Sequence, residues 1–168
     1  MYHQVISQCT QSLKNLESCF DKAEQFASAR RFDINVLVTS RLAPDMQGFA
    51  YQIQSACDYV KAAAAWLSGL TPPVHEDNEK SFDELRARIR KTVAFVESIE
   101  ETHYAGARSR RIRLSWVPGK VIHGEDYLIQ VVIPSVYFHI VMAYAILRHN
   151  GVDVGKMDFL GHMNFVAA

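Results

Sequence analysis

Four segments of the chain have apolar or small residues separated by alternating steps of three and four positions, and this spacing limits the fold more than any other feature. Such steps return to the same face of an α-helix, so each segment predicts a helix with one buried side. The predicted buried positions are, in chain order, Ile6, Cys9, Leu13, Leu16, Phe20, Ala23 and Ala27; Met46, Phe49, Ile53, Ala56, Val60, Ala63 and Leu67; Phe82, Leu85, Ile89, Thr92, Val96 and Ile99; and Leu128, Val132, Ser135, His139, Met142 and Ile146. Helices of this length with one apolar side each pack together as a four-helix bundle, so we predict an all-α fold.

Several residues mark where these helices begin or bend. Pro44 and Asp45 predict the start of the second helix, because both residues are favoured at helix N-termini. Ser81, followed three positions later by Glu84, resembles a capping box and predicts the start of the third helix. Pro134 predicts a kink in the fourth helix, because a proline inside a helix removes a backbone donor and clashes with the preceding turn.

The segments between the helices predict two further elements. Polar and apolar residues alternate from Arg111 to Trp116, Pro118-Gly119 suits a tight turn, and residues 120–123 can return as a second strand. We therefore predict a small β-hairpin between the third and fourth helices. Residues 30–42 predict a long first crossover in an up-down bundle, with a short helix around residues 34–39.

Length and charge limit the functions open to the chain. Its 168 residues fit one domain, which we place at residues 1–168. Lysine and arginine, 18 in total, balance 18 acidic residues, and this neutrality argues against binding to nucleic acid or to anionic membranes. Three cysteines without a C-x-x-C pair are typical of reduced thiols in a cytosol, and we recognise no signal peptide. We expect a cytoplasmic protein, and we interpret the apolar stretch from Tyr127 to Leu147 as a bundle helix rather than a membrane span.

The fourth helix carries the most informative motif. Its residues Ser135-Val136-Tyr137-Phe138-His139, followed by Tyr144 to Arg148 and then Gly151-Val152, resemble the last helix of the DinB/YfiT-like superfamily. That superfamily has two histidines four positions apart in this helix and a third near the start of the second helix. The resemblance implies that the three histidines together hold a divalent metal.

Only one of these three histidines is present in this chain. His139 stands where the second histidine falls, and Ser135 replaces the first. On the second helix Gln52 best matches the third position, with Gln54 as the alternative. A single imidazole beside an amide and a hydroxyl is a poor set of ligands for Zn or Ni. We therefore expect no cofactor and not a typical three-histidine metalloenzyme, and a metal site would need a recruited ligand, for which Asp45 is the best candidate.

The chain is most similar to an uncharacterised branch of the superfamily. The similarity rests on Arg41 to Met46, on Phe138-His139 with Leu147 to Gly151, and on Gly155 to Gly161, and it covers nearly the whole chain. It implies a DinB-like four-helix bundle and names no reaction or substrate.

Three functional hypotheses follow. In the first, the chain is metal-independent and binds an unknown small molecule in a small polar pocket formed by Asp45, Gln52, Ser135 and His139. In the second, it is a metal-dependent hydrolase or thiol transferase that uses His139 and a recruited ligand. In the third, it is a structural or interaction protein without a ligand site.

A second stripe on the fourth helix predicts a further contact. The residues of this stripe are Ile133, Tyr137, Val141, Tyr144 and Arg148. A helix that is apolar on two faces must be covered on both. The cover is either the hairpin with the C-terminal tail, or a second copy of the chain, and the resemblance together with the Tyr and Arg content favours a homodimer.

Overall fold

The predicted four-helix bundle is confirmed by a computed structural model, which describes residues 1–166. Helices and strands are α1 (Tyr2–Arg30), α2 (Phe49–Ser68), α3 (Phe82–Glu97), β1 (Arg111–Ile112), β2 (Ile122–His123), α4 (Gly124–His149) and α5 (Lys156–Leu160), with short 3₁₀ segments at Ile34–Thr39, Glu101–Tyr104 and Ala107–Ser109. The short helix predicted in the first crossover is therefore present. The two strands pair antiparallel, Arg111 opposite His123 and Ile112 opposite Ile122, so the predicted hairpin is present with strands of two residues each.

The core of α1, α2 and α3 is the one that the spacing predicts. Every predicted buried position in α1 and α3 is at most 5 % exposed, and so is every predicted position within α2. Three phenylalanine rings join these helices, because Phe49 stacks on Phe82 at 5.2 Å and Phe20 meets them at 5.6 and 5.0 Å. Ser81 caps α3 as predicted, since its hydroxyl accepts a hydrogen bond from the Glu84 amide at 3.2 Å.

The predicted start of α2 at Pro44-Asp45 is wrong. The helix begins at Phe49, with Gly48 at its N-cap. The reason is a close approach between two segments: the Phe49 amide donates to the Ser40 carbonyl at 2.9 Å, and a Cβ on residue 48 would lie 3.1 Å from the Thr39 carbonyl oxygen. Asp45 consequently lies outside the helix, on an exposed turn.

The predicted buried side of α4 is correct at both ends of the helix and is displaced by one residue in its middle. Leu128, Val132 and Ile146 are buried as predicted, but the buried residues between Val132 and Ile146 are Val136, Ile140 and Ala143, each one position after a predicted one. The cause is a π-helical segment at Tyr127–Val132, directly before Pro134. A π-helical turn contains one more residue than an α-helical turn and therefore rotates everything that follows. The disturbance expected at the proline thus takes the form of a widened turn that precedes it.

The C-terminal residues fold back onto α1. Asn15 donates hydrogen bonds from its side-chain amide to the carbonyls of Phe159 and Leu160, at 3.1 and 2.9 Å. Lys22 pairs with Asp158 at 2.7 Å. These contacts hold α5 against the bundle and place the tail next to the end of α4.

The helix α4 is unusually apolar for its degree of burial. It is long and apolar enough to cross a membrane, a property that core helices of soluble proteins share. Only 28 % of its most apolar window is buried within the described residues. Ile129, Phe138 and Val141 are its exposed large apolar residues, at 56, 54 and 40 % exposure.

Candidate functional site

His139 and Gln52 form the centre of the predicted polar site. The ring Nδ1 of His139 lies 2.8 Å from the side-chain oxygen of Gln52, and the Gln52 amide nitrogen donates to the Gln47 carbonyl at 3.1 Å. Because the Gln52 oxygen can only accept, the Nδ1 of His139 carries the proton and donates it. The Nε2 atom of the neutral ring is then an acceptor, and it has no hydrogen-bond partner among residues 1–166. Burial lowers the pKa of His139, so the neutral form dominates at neutral pH.

Aromatic rings surround the imidazole of His139. Tyr59 stacks on it with centroids 5.7 Å apart and an interplanar angle of 22°. Tyr51 and Phe138 meet it edge-on, at 6.0 and 5.2 Å. The ring is therefore held by one hydrogen bond and three aromatic neighbours, which fixes its orientation.

The other two residues of the predicted pocket are less closely associated. Ser135 lies one turn before His139 and is half-buried, and within residues 1–166 its hydroxyl forms no hydrogen bond with His139 or Gln52. Asp45 is exposed on the turn before α2 and has no hydrogen bond to the other three side chains in the described part of the chain. Gln54, the alternative to Gln52, donates instead to Glu79 at 2.9 Å.

The residues at the superfamily's metal position do not fit a transition metal. The donors available there are the imidazole of His139, the amide of Gln52 and the hydroxyl of Ser135, and the Gln52 oxygen is already used by His139. Amide and hydroxyl groups are weak ligands for Zn or Ni. Residues 1–166 contain no group of three or more His, Cys, Asp or Glu side chains arranged to hold an ion.

The three cysteines are poorly suited to thiol chemistry. All are buried, and burial raises the pKa of Cys9 and Cys19 to about 11 and that of Cys57 to about 12. A nucleophilic cysteine must ionise near neutral pH. These thiols stay protonated there, so they act as small apolar residues of the core.

A cleft of about 310 Å³ is lined by the two tyrosines that contact His139. Its walls come from α2, the loop after α2, the hairpin and the π-helical segment of α4. The lining residues are Tyr51, Ser55, Asp58, Tyr59, Ala62, Trp66, Asp77, Leu114, Ser115, Trp116 and Tyr127. Tyr51 and Tyr59 therefore contact His139 and also line the cleft, whereas His139 is not part of the described lining.

This cleft was not predicted, although the sequence contains a signal for it. Tyr51, Tyr59 and Trp66 are separated by eight and seven residues, about two helical turns each, so they share one face of α2. That face adjoins the buried side, because Tyr59 and Trp66 also pack against the core. A further aromatic residue of the cleft, Tyr127, lies in the π-helical segment, and such segments are frequent at functional sites.

A buried charge cluster supports the acidic part of the cleft wall. The side chain of Arg88 is only 2 % exposed and donates to the carboxylates of Asp58, Asp77 and Glu79 at 2.8, 3.0 and 2.9 Å. Lys61, also buried, pairs with Asp58 at 2.6 Å. These bonds attach the loop after α2 to both α2 and α3.

The stripe predicted as a dimer face is partly covered by the chain itself. The Tyr144 hydroxyl donates to the Val154 carbonyl at 3.2 Å, and its ring meets Phe159 at 6.0 Å. Arg148 donates to the Val152 carbonyl at 3.4 Å. Ile133 and Tyr137 are half-buried, and Val141 is exposed. The C-terminal segment thus covers one end of the stripe, and homodimer formation through the remainder stays a prediction.

Comparison with known proteins places the chain in a family. The sequence pattern of DUF1993, described as a domain of unknown function, matches residues 1–160. The chain belongs to the DUF1993 family. The crystal structure of a DinB family member protein from Shewanella denitrificans is similar to the DUF1993 chain with a TM-score of 0.95 and 43 % sequence identity, over 99 % of this chain and 95 % of that one. A comparison with curated proteins found no match. The predicted DinB-like fold is therefore confirmed.

The burial of His139 predicts its titration. Its pKa should lie below 6.5, because the charged ring would lose solvation in this site. The unfolded chain then takes up this proton first as the pH falls, so the stability that the neutral ring contributes is complete above pH 6.5 and declines below it. NMR titration of the His139 ring protons, assigned by comparison with His139→Gln, measures this pKa. A midpoint at or above 6.5 would contradict the prediction.

Proposed function

We propose that this DUF1993 protein binds a small organic molecule without a metal, in the aromatic cleft beside His139. The observation that carries the proposal is the cleft itself: its volume of about 310 Å³ is in the range of small-molecule sites, and five aromatic side chains contribute to its wall. The predicted pocket thereby moves from the surroundings of Asp45 and Ser135 to the outer side of Tyr51 and Tyr59.

His139 has a supporting role in this proposal. Its ring stacks on Tyr59 and meets Tyr51 edge-on. The hydrogen bond with Gln52 holds the His139 ring in place, and the ring in turn supports the positions of both tyrosines. A rigid aromatic wall loses little entropy when a ligand binds, which favours affinity. The arrangement favours binding over a metal-dependent hydrolase or thiol transferase, because neither a suitable ligand set nor an ionisable thiol lies near the cleft.

The test uses protein purified without a histidine tag. We expect metal analysis to find far less than one transition-metal ion per chain. In a two-dimensional NMR screen against soluble neutral, cationic and anionic fragments, we expect some fragments to shift the signals of Tyr51, Tyr59 and Trp66, equally with and without EDTA. Tyr51→Leu should weaken these shifts, and Tyr137→Leu, outside the cleft, should not.

Two results would contradict the proposal. A stoichiometric metal whose removal by EDTA abolishes fragment binding would show that the site depends on a metal. A screen in which no fragment shifts the cleft signals would show that the cleft is not a binding site.

A further inference from the structure

We propose that the ligand of the cleft is a small organic cation, such as an amine or a quaternary ammonium compound, an inference that rests on the proposed function and specifies its ligand class. The aromatic part of the wall is the first reason. Tyr51, Tyr59, Trp66, Trp116 and Tyr127 contribute rings to one cleft, and its described lining contains no lysine, arginine or histidine. The faces of tyrosine and tryptophan rings attract cations, and clusters of such rings recognise ammonium groups.

The acidic part of the wall is the second reason. Asp58 and Asp77 both line the cleft, and their side chains are 41 and 56 % exposed. Arg88 binds each of them through its Oδ1 atom. Within the described residues, the Oδ2 atom of each carboxylate forms no hydrogen bond. Each aspartate is therefore fixed in place while one oxygen stays available.

The position of the neighbouring cations is the third reason. Arg88 and Lys61 are almost completely buried, with side chains 2 and 8 % exposed, and neither lines the cleft. Together with Glu79, the two aspartates give three carboxylates against these two cations. The cluster thus has one net negative charge, and its two members that line the cleft, Asp58 and Asp77, are both negative. A bound anion would be repelled, whereas a cation would be attracted.

A matched pair of probes separates charge from shape. Choline and 3,3-dimethylbutan-1-ol have nearly the same size and shape, but only choline is charged. We expect choline to bind about tenfold more tightly, because both probes pack against the rings but only the charged one is also attracted electrostatically by the aromatic faces and the carboxylates. Dissociation constants come from NMR titrations that follow the Trp66 and Trp116 indole signals. The preference for choline should shrink as NaCl is added, since salt screens exposed carboxylates.

Two variants locate the effect in the cleft. Trp116→Ala and Asp77→Asn should each weaken choline binding several-fold. In Asp77→Asn, the binding of 3,3-dimethylbutan-1-ol should change less than the binding of choline. Trp116 is 66 % exposed, so its removal leaves the fold intact. The matched controls are Phe165→Ala and Asp153→Asn, which remove an aromatic ring and a carboxylate that are exposed and do not line the cleft.

The outcomes distinguish this inference from the proposed function. If the neutral alcohol binds in the cleft as tightly as choline, or if an anionic fragment from the screen binds more tightly, the cation inference is overturned while the cleft remains a site. If neither probe binds, the cation inference is also overturned, and the fragment screen decides separately whether the cleft binds other molecules. Loss of choline binding in the control variants as well would place its binding elsewhere and overturn the inference.

Discussion

Replacing Phe49 with alanine should lower the free energy of unfolding by about 3–5 kcal/mol, the range for deleting a fully buried phenylalanine side chain. Phe49 is completely buried, and its ring stacks on Phe82 at an interplanar angle of 14°. It also contacts Phe20 at 5.6 Å. The three rings belong to α1, α2 and α3, so the cavity would open where three helices meet. Helices fixed by the rest of the bundle cannot close in to fill it.

Urea denaturation followed by circular dichroism measures this loss. The matched control is Phe165→Ala, because Phe165 is 83 % exposed, and its removal should change the free energy of unfolding by less than about 0.5 kcal/mol. Phe49→Leu should lie between the two variants, since leucine fills part of the cavity. A loss below about 1 kcal/mol in Phe49→Ala would mean that the three-ring cluster does not hold the helices together.

The sequence predicts the packing of α1 and α3 almost completely because nothing in either helix interrupts the α-helical period. A position such as Leu13 or Ile89 is buried simply because it follows the previous buried residue by one turn. In the middle of α4 this period no longer predicts the buried residues, which are Val136, Ile140 and Ala143. The π-helical segment adds one residue to a turn, and a residue count cannot show where that addition falls. His139 is consequently half-buried at the side of the core. The spacing alone predicts it at the centre of the buried side.

The candidate site, like the fold, could be predicted only in part. Gln52 and His139 could be paired because family motifs place both at one functional position, and the structure brings them to 2.8 Å. Asp45 could not be located, because the start of α2 depends on the close approach of Gly48 to Thr39, a packing contact that the helix-start residues Pro44 and Asp45 do not indicate. The cleft was not predicted at all, since four separate elements build its wall. Trp116, for example, joins it only through the fold of the hairpin.

Arg88→Met should lower the free energy of unfolding by about 2–4 kcal/mol. Methionine fills much of the space but leaves the carboxylates without their cation, and breaking a buried pair on one side costs about 3–5 kcal/mol. We expect somewhat less, because Asp58 and Asp77 remain in contact with water and only Glu79, at 11 % exposure, is largely buried. Burial by itself would raise the pKa of Glu79, and hydrogen bonds, including those from Gln54 and Arg88, bring it below its usual value. Without Arg88 that pKa should rise.

A neighbouring arginine provides the control for this prediction. Arg90 lies on the same helix and pairs with Glu17 at 2.7 Å, but its side chain is 67 % exposed. Arg90→Met should therefore cost less than about 1 kcal/mol, as exposed ion pairs do. Equal losses in the two variants, measured by urea denaturation, would contradict a special role for the buried cluster.

The Arg88 variant also tests how the cleft is held together. Arg88 attaches Asp77, on the loop after α2, to Asp58 on α2, so both acidic walls of the cleft depend on one guanidinium. Removing it takes away a positive charge, which alone would strengthen the attraction of a cation. It also releases the loop, which should separate the two carboxylates. Two carboxylates attract one cation strongly only when both lie close to it. We therefore expect the separation of the carboxylates to outweigh the removal of the positive charge, and choline should bind Arg88→Met more weakly than it binds Arg90→Met. Tighter binding would instead mean that Arg88 opposes the ligand by its charge and that the loop keeps its place without it.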